Sequence, residues 1–501
     1  MVAPAGAGIG DLDAQFAQGG QVLVADNGGS GVLEMPDGRI LVIGLPTTNE
    51  GTPATGRAIV INRYRASGEP DPSFGQGGRA VANTSLDIMS IGAVALQPDG
   101  KVVVAGNYWS QGGLPFVARL DPTGALDPSF GSGGISKPGG GTEPYYSSLV
   151  VLSNGEILAA ISDWTSDRLD RFAADGRYLG NLSWAIAPAK MALQSDGRLL
   201  VSGYHRTLKK SVVTRVDANG QLDPTFGQAG FAVIESDYTG NLSVEPDSDR
   251  VVLCGPGIVR LTSDGQLDTT FGLRGTGYVA FDSDAVPMFD YCNRLLTPRG
   301  GGVVFIGIRQ GQAAGGYDRA FVAGLSADGT VDTRFGAGSG ASEIDLGAIR
   351  GSRYWYYDTG SSFIATRGGN ALLTWWSDSD PGLKLARVDL GGTDPVAVVP
   401  PIAEPAPPPP IAEPAPPPPI AEPAPPTPTV RGGHGGGGAF GWIEFAAFGL
   451  GLGGLARRRR RIPARQCAVP LAASQIDAIT VLRATAATRH RGKLRARRWS
   501  S

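Results

Sequence analysis

The sequence predicts an all-β protein assembled from repeated four-stranded sheets, and three observations predict it. The stretch Ile91–Gly134, IGAVALQPDGKVVVAGNYWSQGGLPFVARLDPTGALDPSFGSGG, reads as three short strands closed by tight turns and ending in the punctuation LDPSFG. Variants of it recur from near the N-terminus to about residue 395, and self-similarity at this period fixes the architecture. The composition agrees: Gly (75) and Pro (38) are high in 501 residues, and charged residues make up only 18%. That suits a turn-rich β protein that also carries a low-complexity segment.

Each repeat divides into four strand-like pieces. The first follows a Phe-Gly punctuation: GQVLVAD (20–26), GRAVANT (78–84), GGISKPG (133–139), NLSWAI (181–186), GFAVIES (230–236), GYVAFDS (277–283) and ASEIDLG (341–347). The second ends in a tight turn, and Asp37-Gly38, Asp99-Gly100, Asn154-Gly155 and Asp196-Gly197 are strong hairpin signals because both residues tolerate positive φ. The third piece is the most apolar (RILVIG, KVVVAG, RLLVSG, RVVLCG and their relatives) and reads as a strand buried on both faces. The fourth (FVARLD, VVTRVD, LKLARVD) alternates apolar and polar, as an outer, half-exposed strand should.

The connection from the fourth piece to the next first piece is the most regular: PDPSFG (70–75), LDPSFG (126–131), LDPTFG (222–227), LDTTFG (267–272) and VDTRFG (331–336), degenerate only in the third set. Asp followed by Pro or Thr starts a type I or Asx turn. Phe74, Phe130, Phe226, Phe271 and Phe335 are then expected to drop into the seam between neighbouring sheets. Four-stranded units of roughly 40–60 residues, in seven sets, predict a seven-bladed β-propeller, with six or eight blades and a β-solenoid as rivals. The last set stops at VDLGG (388–392) without a Phe, whereas the chain begins with LDAQF (12–16), so Phe16 is expected to close the ring.

The alternation of LDPSFGxGG, QPDGKVVVAG and VARLDPTG resembles the delta-60 repeat family of bacterial propeller-like proteins over residues 11–395. The resemblance implies a repeat architecture and an extracytoplasmic setting, and no assigned reaction. Residues 1–10 read as a disordered or truncated start without a visible signal peptide, having neither a basic nor an apolar region.

Beyond the repeats, residues 396–431 read as a Pro-rich linker in which 401–427 hold three copies of a nine-residue unit, PIAEPAPPP or PIAEPAPPT. Pro at this density favours polyproline II, and 27 such residues would hold a domain roughly 80 Å from a surface. Residues 432–461 follow as GGHGGGG, the apolar segment 439–456 and five arginines. The apolar segment predicts one short helix just long enough to enter a bilayer, with the arginines on the cytoplasmic side. The order resembles the GlyGly-CTERM sorting signal of exported bacterial proteins, with Gly435, Gly436, Gly437 and Gly438 as the Gly-rich element and Arg457, Arg458, Arg459, Arg460 and Arg461 as the basic end. That resemblance implies cleavage near the motif by an intramembrane sorting protease. Such signals end at the basic cluster, whereas here a basic tail, 462–501, follows and is expected to be disordered.

Charge and chemistry narrow the function. Residues 457–501 hold thirteen of the 44 basic residues and one of the 46 acidic ones, which leaves residues 1–456 with a net charge of −14. An acidic body argues against a nucleic-acid partner. Of three histidines only His205 lies in the repeats, and no nucleophile elbow, P-loop or dinucleotide fingerprint appears. Cys254, in the apolar run VVLCG, reads as a buried free thiol rather than a partner of Cys292. No cofactor is expected. The candidate calcium ligands, Glu245, Asp247 and Asp249 and the pair Asp378 and Asp380, lack the Gly and distal Glu of a complete loop. The aromatic set Tyr354–Tyr357 with Trp375 and Trp376 would either stack on a sugar or partner, or pack the last blade. The expected function is an exported, envelope-tethered or released module that binds an extracellular protein or glycan or serves structurally. The rival is a propeller lyase or hydrolase with its site at the channel mouth.

Overall fold

A computed structural model describes residues 8–391 except 30, 48–55, 111–112, 139–144, 163–167, 184–185, 218–219, 235–240, 282–288, 290, 310–317, 350–361 and 378–381. All described residues belong to the compact unit Met1–Ala412. The linker core 401–427, the sorting-type segment with its apolar helix, and the tail lie outside the described residues.

The chain opens with β1 (Gln21–Val24), which leaves its sequence neighbours and joins the far end of the fold. The next strands, β2 (Gly31–Glu34), β3 (Ile40–Gly44), β4 (Gly56–Tyr64), β5 (Arg79–Leu96), β6 (Val102–Tyr108), β7 (Leu114–Leu120) and β8 (Ile135–Ser136), form one seven-stranded sheet in that order. Three four-stranded antiparallel blades follow. The first is β9 (Tyr145–Val151), β10 (Ile157–Ser162), β11 (Arg168–Phe172) and β12 (Tyr178–Ser183). The second is β13 (Ile186–Leu193), β14 (Leu199–His205), β15 (Lys210–Val216) and β16 (Phe231–Ile234). The third is β17 (Asn241–Val244), β18 (Val251–Cys254), β19 (Gly257–Leu261) and β20 (Tyr278–Ala280). A fourth contains β21 (Tyr291–Leu296), β22 (Val303–Arg309), β23 (Asp318–Leu325) and β24 (Ala341–Ile349). The last contains β25 (Ser362–Ala365), β26 (Asn370–Ser377) and β27 (Gly382–Asp389), with β1 as its outer strand.

Seven separate four-stranded blades are therefore not what forms: five blades have four strands, and the first two sequence sets share the seven-stranded sheet. The cause is β5. Its first half pairs with β4 (Asn62 opposite Arg79) and its second half with β6 (Leu96 opposite Val102). Between Arg79 and Ile91 the sequence RAVANTSLDIMSI contains neither Gly nor Pro. Nothing breaks the strand where most other junctions carry Gly or Pro, and register shifts around Ile88 and Ile91 bend it from one set into the next.

The innermost strands touch in a closed cycle, β2, β5, β9, β13, β17, β21, β25 and back to β2. Closure of the last blade comes from the N-terminus: Gln21 to Val24 pair with Ala386 to Leu383 in antiparallel register, and Leu12 bridges Val388. The third pieces behave as doubly covered strands: every residue of β3 and of β18 is buried. Apolar clusters run from sheet to sheet; one holds Phe226, Leu200 and Val213 together with Val251 and Leu253 of the next blade.

The cysteines correct the thiol expectation. Cys254 on β18 and Cys292 on β21 form a disulfide between adjacent blades, with Cα atoms 5.6 Å apart. Apolar surroundings suited a free thiol equally well; facing positions on the second strand of one blade and the innermost strand of the next, which sequence spacing does not reveal, decide for the bond.

Candidate functional site

The most elaborate chemistry of the chain is copied at the seams. In the turn at 70–75, Asp71 Oδ1 accepts the Ser73 backbone N–H (3.1 Å) and hydroxyl (2.7 Å), an Asx-type turn. Asp71 Oδ2 accepts Arg63 Nε at 2.8 Å, and the guanidinium carbon lies 4.4 Å from the centre of the buried Phe74 ring. The same grip joins Arg119 to Asp127, Arg215 to Asp223 and Arg260 to Asp268, each at 2.8 Å. Their guanidinium carbons lie 4.7, 5.0 and 4.4 Å from Phe130, Phe226 and Phe271.

Three of these grips reach across a seam. Arg119 Nη1 donates to Ala174 O, Arg215 Nη1 to Ser263 O and Arg260 Nη1 to Gly301 O, all in the following blade. The Phe beneath explains a glycine: a Cβ on Gly124, whose φ is +87°, would come within 2.8 Å of the Phe74 ring. At ring closure the parts come from the two chain ends. Arg387 Nε donates to Asp13 Oδ2 at 2.8 Å, stacks 4.9 Å from Phe16, and its Nη1 donates to Ala66 O.

A second cation backs the carboxylate from the residue that follows each inner hairpin turn. Arg39 is 3.7 Å from Asp71, Lys101 3.3 Å from Asp127, Arg198 3.1 Å from Asp223 and Arg250 3.2 Å from Asp268. The degenerate third set keeps the pair by moving the acid: Glu156 takes the post-turn position and accepts Arg171 Nε at 2.6 Å. There, too, a buried Asp170 accepts the Tyr146 and Tyr178 hydroxyls at 2.8 and 3.1 Å.

The electrostatics follow. The Ser73 hydroxyl, outweighing burial, and Arg63 hold Asp71 down to about 2. Burial pushes Asp127 and Asp223 up, but the Ser129 or Thr225 hydrogen bonds and the arginines prevail and hold both well below the usual carboxylate range. Burial raises Asp170 against its hydrogen bonds. Carboxylates with lowered folded-state values contribute stability that is present above their ordinary value of 3.8 and lost as pH falls. Asp170 acts oppositely, since stability falls as pH rises through its window. With three strong grips against one, melting temperature is expected to hold above about pH 5 and to fall steeply from about pH 4 to pH 2. Thermal melts across that range check it; a flat profile would mean the grips are screened.

The sixth set departs from this pattern. Gly324 stands where the gripping arginine would be, eight residues before Asp332, and Gly302 stands at the post-turn basic position. Asp332 is left with Arg334 of its own turn, Nη2 to Oδ2 at 2.6 Å, and that arginine side chain is 61% exposed. A cavity of about 290 Å³ opens beside them, lined among others by Gly302, Val304, Leu325, Asp332, Phe335 and Leu390. Its volume sits at the lower end of small-molecule sites.

The structure places the other sequence candidates as follows. Glu245, Asp247 and Asp249 diverge: Glu245 is buried against Arg260 (3.2 Å), Asp247 meets Arg299 (2.7 Å), and Asp249 accepts from Ser195. Among the described residues no group of three or more His, Cys, Asp or Glu is placed to hold a metal. His205 lies edge-on to Phe231, with ring centres 5.2 Å apart. Trp375 is buried in an apolar cluster shared by the sixth and last blades, with Phe335 and Phe363. Tyr354–Tyr357, Asp378 and Asp380, the Trp376 side chain, and the sorting-signal residues Gly435–Gly438 and Arg457–Arg461 lie outside the described residues. Among the described residues no helix is long and apolar enough to cross a membrane. Sequence reading missed the gripping arginines, although a signal was present: one Arg in the fourth piece, eight residues before the turn Asp, in sets one, two, four and five.

Comparison with known proteins agrees with this architecture. The family described as "Domain of unknown function (DUF5122) beta-propeller" matches residues 36–74, 97–130, 194–226 and 255–271. No curated protein matches the chain. Among solved structures it is similar to virginiamycin B lyase from Staphylococcus aureus, at 13% identity over 73% of this chain and 98% of that one, with a TM-score of 0.43. It is also similar to the PQQ-bound aldose sugar dehydrogenase of Streptomyces coelicolor, at 12% identity over 60% of this chain and 98% of that one, with a TM-score of 0.35. Similarity this distant carries no activity across. The repeats, the antiparallel four-stranded blades and the family match make this chain a β-propeller repeat protein.

Proposed function

We propose that the chain is an exported propeller that acts outside the cytoplasm as a non-catalytic binding or structural module, its partner an extracellular protein or glycan. The observation that carries the reading is the Cys254–Cys292 disulfide between two blades, since such bonds persist in oxidising compartments. The C-terminal sequence supports the same setting: a Pro-rich spacer, then Gly435–Gly438, the apolar stretch 439–456 and Arg457–Arg461 in the order of a sorting signal. On this reading the segment 439–456 holds the chain in the inner membrane until a sorting protease cuts near the glycines. The propeller then stays tethered or is released at the surface. The gripping arginines Arg119, Arg215 and Arg260 hold neighbouring blades together, and Phe16, Phe74, Phe130, Phe226, Phe271 and Phe335 serve as seam residues. The seven-stranded sheet counts as two blades fused through β5, which gives a ring of seven.

Fractionation of the native cells with mass spectrometry of both chain ends tests the reading. A C-terminus near Gly435–Ala439 in the surface or medium fraction is expected. An intact chain ending at Ser501 in the cytosol would overturn it.

A further inference from the structure

We propose that the cavity of the sixth set is a binding slot for a guanidinium group, the chemistry of an arginine side chain, supplied from outside the propeller. This deepens the binding-module reading by naming what one of its sites takes.

The molecule itself shows what fits. At four equivalent turns and at ring closure, a guanidinium fills the space between an Asp carboxylate and a Phe ring, with Nε to Oδ2 at 2.8 Å. The sixth set retains the acceptor and the ring, Asp332 and Phe335, both largely buried. It deletes both internal cations, at Gly302 and Gly324. The backbone N–H of Arg334 still donates to Asp332 Oδ1 at 3.0 Å, so the carboxylate keeps the presentation seen in the other turns. Two cations remain at the rim of the slot: Arg299, tied to Asp247 at 2.7 Å, and Arg334, which forks onto Asp332 (Nε to Oδ1 3.0 Å, Nη2 to Oδ2 2.6 Å) from solvent with a 61% exposed side chain. An incoming guanidinium has to displace this fork from Oδ2, and the exposed Arg334 side chain is free to swing into solvent when it does. Val304, Leu325 and Leu390 wall the slot, which suits the methylene stem of an arginine, and the Phe335 face offers cation–π attraction.

The test uses the purified full chain and isothermal titration. Agmatine is the probe, its isostere N-carbamoylputrescine, which keeps the ammonium but replaces the guanidinium with an uncharged urea, the control, and a capped Gly-Arg-Gly peptide the third titrant. Saturable agmatine binding at least about tenfold tighter than the isostere is expected, since a hydrogen bond to a charged group is at stake. Peptide binding as tight as agmatine would identify a polypeptide arginine as the source; agmatine alone would identify a small guanidinium ligand. Gly324→Arg refills the slot from within and is expected to abolish binding. The Phe335 ring must move aside, because a Cβ at Gly324 would lie 2.3 Å from it; should that variant fail to fold, Asp332→Asn is expected to remove the preference over the isostere. Equal binding of agmatine and isostere, absence of saturable agmatine binding, or binding that survives in a folded Gly324→Arg chain would each overturn the proposal. Such a result leaves the export reading standing, because the chain-end masses test that separately.

Discussion

Replacement of Arg260 by Met is expected to destabilise the fold by about 3–5 kcal/mol, the range for breaking a buried ion pair from one side. Arg260 is 1% exposed and is the largest fully buried side chain among the described residues. It holds Asp268 at 2.8 Å and Glu245 at 3.2 Å and donates to Gly301 O in the next blade. Met keeps most of the volume, so the loss reads the charge rather than a cavity. Arg250 stays within 3.2 Å of Asp268 and 3.7 Å of Glu245, which places the effect toward the lower end of the range. Without Arg260 the Asp268 carboxyl shifts upward, so the deficit should shrink as the medium is acidified through the ordinary carboxylate range. Urea unfolding at neutral and mildly acidic pH measures both quantities. A loss below about 1 kcal/mol would mean that the grip behaves as a solvent-screened surface pair.

Phe16→Ala is expected to cost about 3–5 kcal/mol, the range for a fully buried Phe. Phe16 is completely buried among Val24, Leu372, Leu383 and Leu385 on one side and Val32, Val42 and Tyr64 on the other. Its ring also lies against Gly68, where a Cβ would approach to 2.9 Å, and under Arg387. The residue therefore joins the last blade to the first from a segment that itself holds on through β1. Hydrogen exchange should show β1 and β27 losing protection before the other blades. Uniform loss across all blades would instead mean that closure is no weaker than any other seam.

Much of this fold was legible in the sequence, because the repeat writes each rule several times. Asp-Gly turns, apolar third pieces and LDxxFG connections gave strands and turns within a few residues of those found, and LDAQF pointed to a chain end that completes the last blade. What escaped were features that depend on absence or on distance. The fusion through β5 hinges on the lack of a Gly or Pro between Arg79 and Ile91, a silence easily passed over when pieces are aligned by their turns. The pairing of Cys254 with Cys292 and the grip of Arg260 on Asp268 depend on which strands face each other. The sixth-set slot arose from two glycines, Gly302 and Gly324, which read as ordinary turn or strand residues until the arginines at the equivalent positions were seen.

The central claim, a propeller matured outside the cytoplasm, meets its most direct measurement in the thiol state of the native protein. Cells would be lysed in an alkylating agent, and the unreduced chain digested and mapped. The account predicts Cys254 and Cys292 in one cross-linked peptide pair, separable only by reductant, with a stability contribution of about 2–4 kcal/mol lost on reduction. Recovery of both cysteines as separately alkylated free thiols would contradict it.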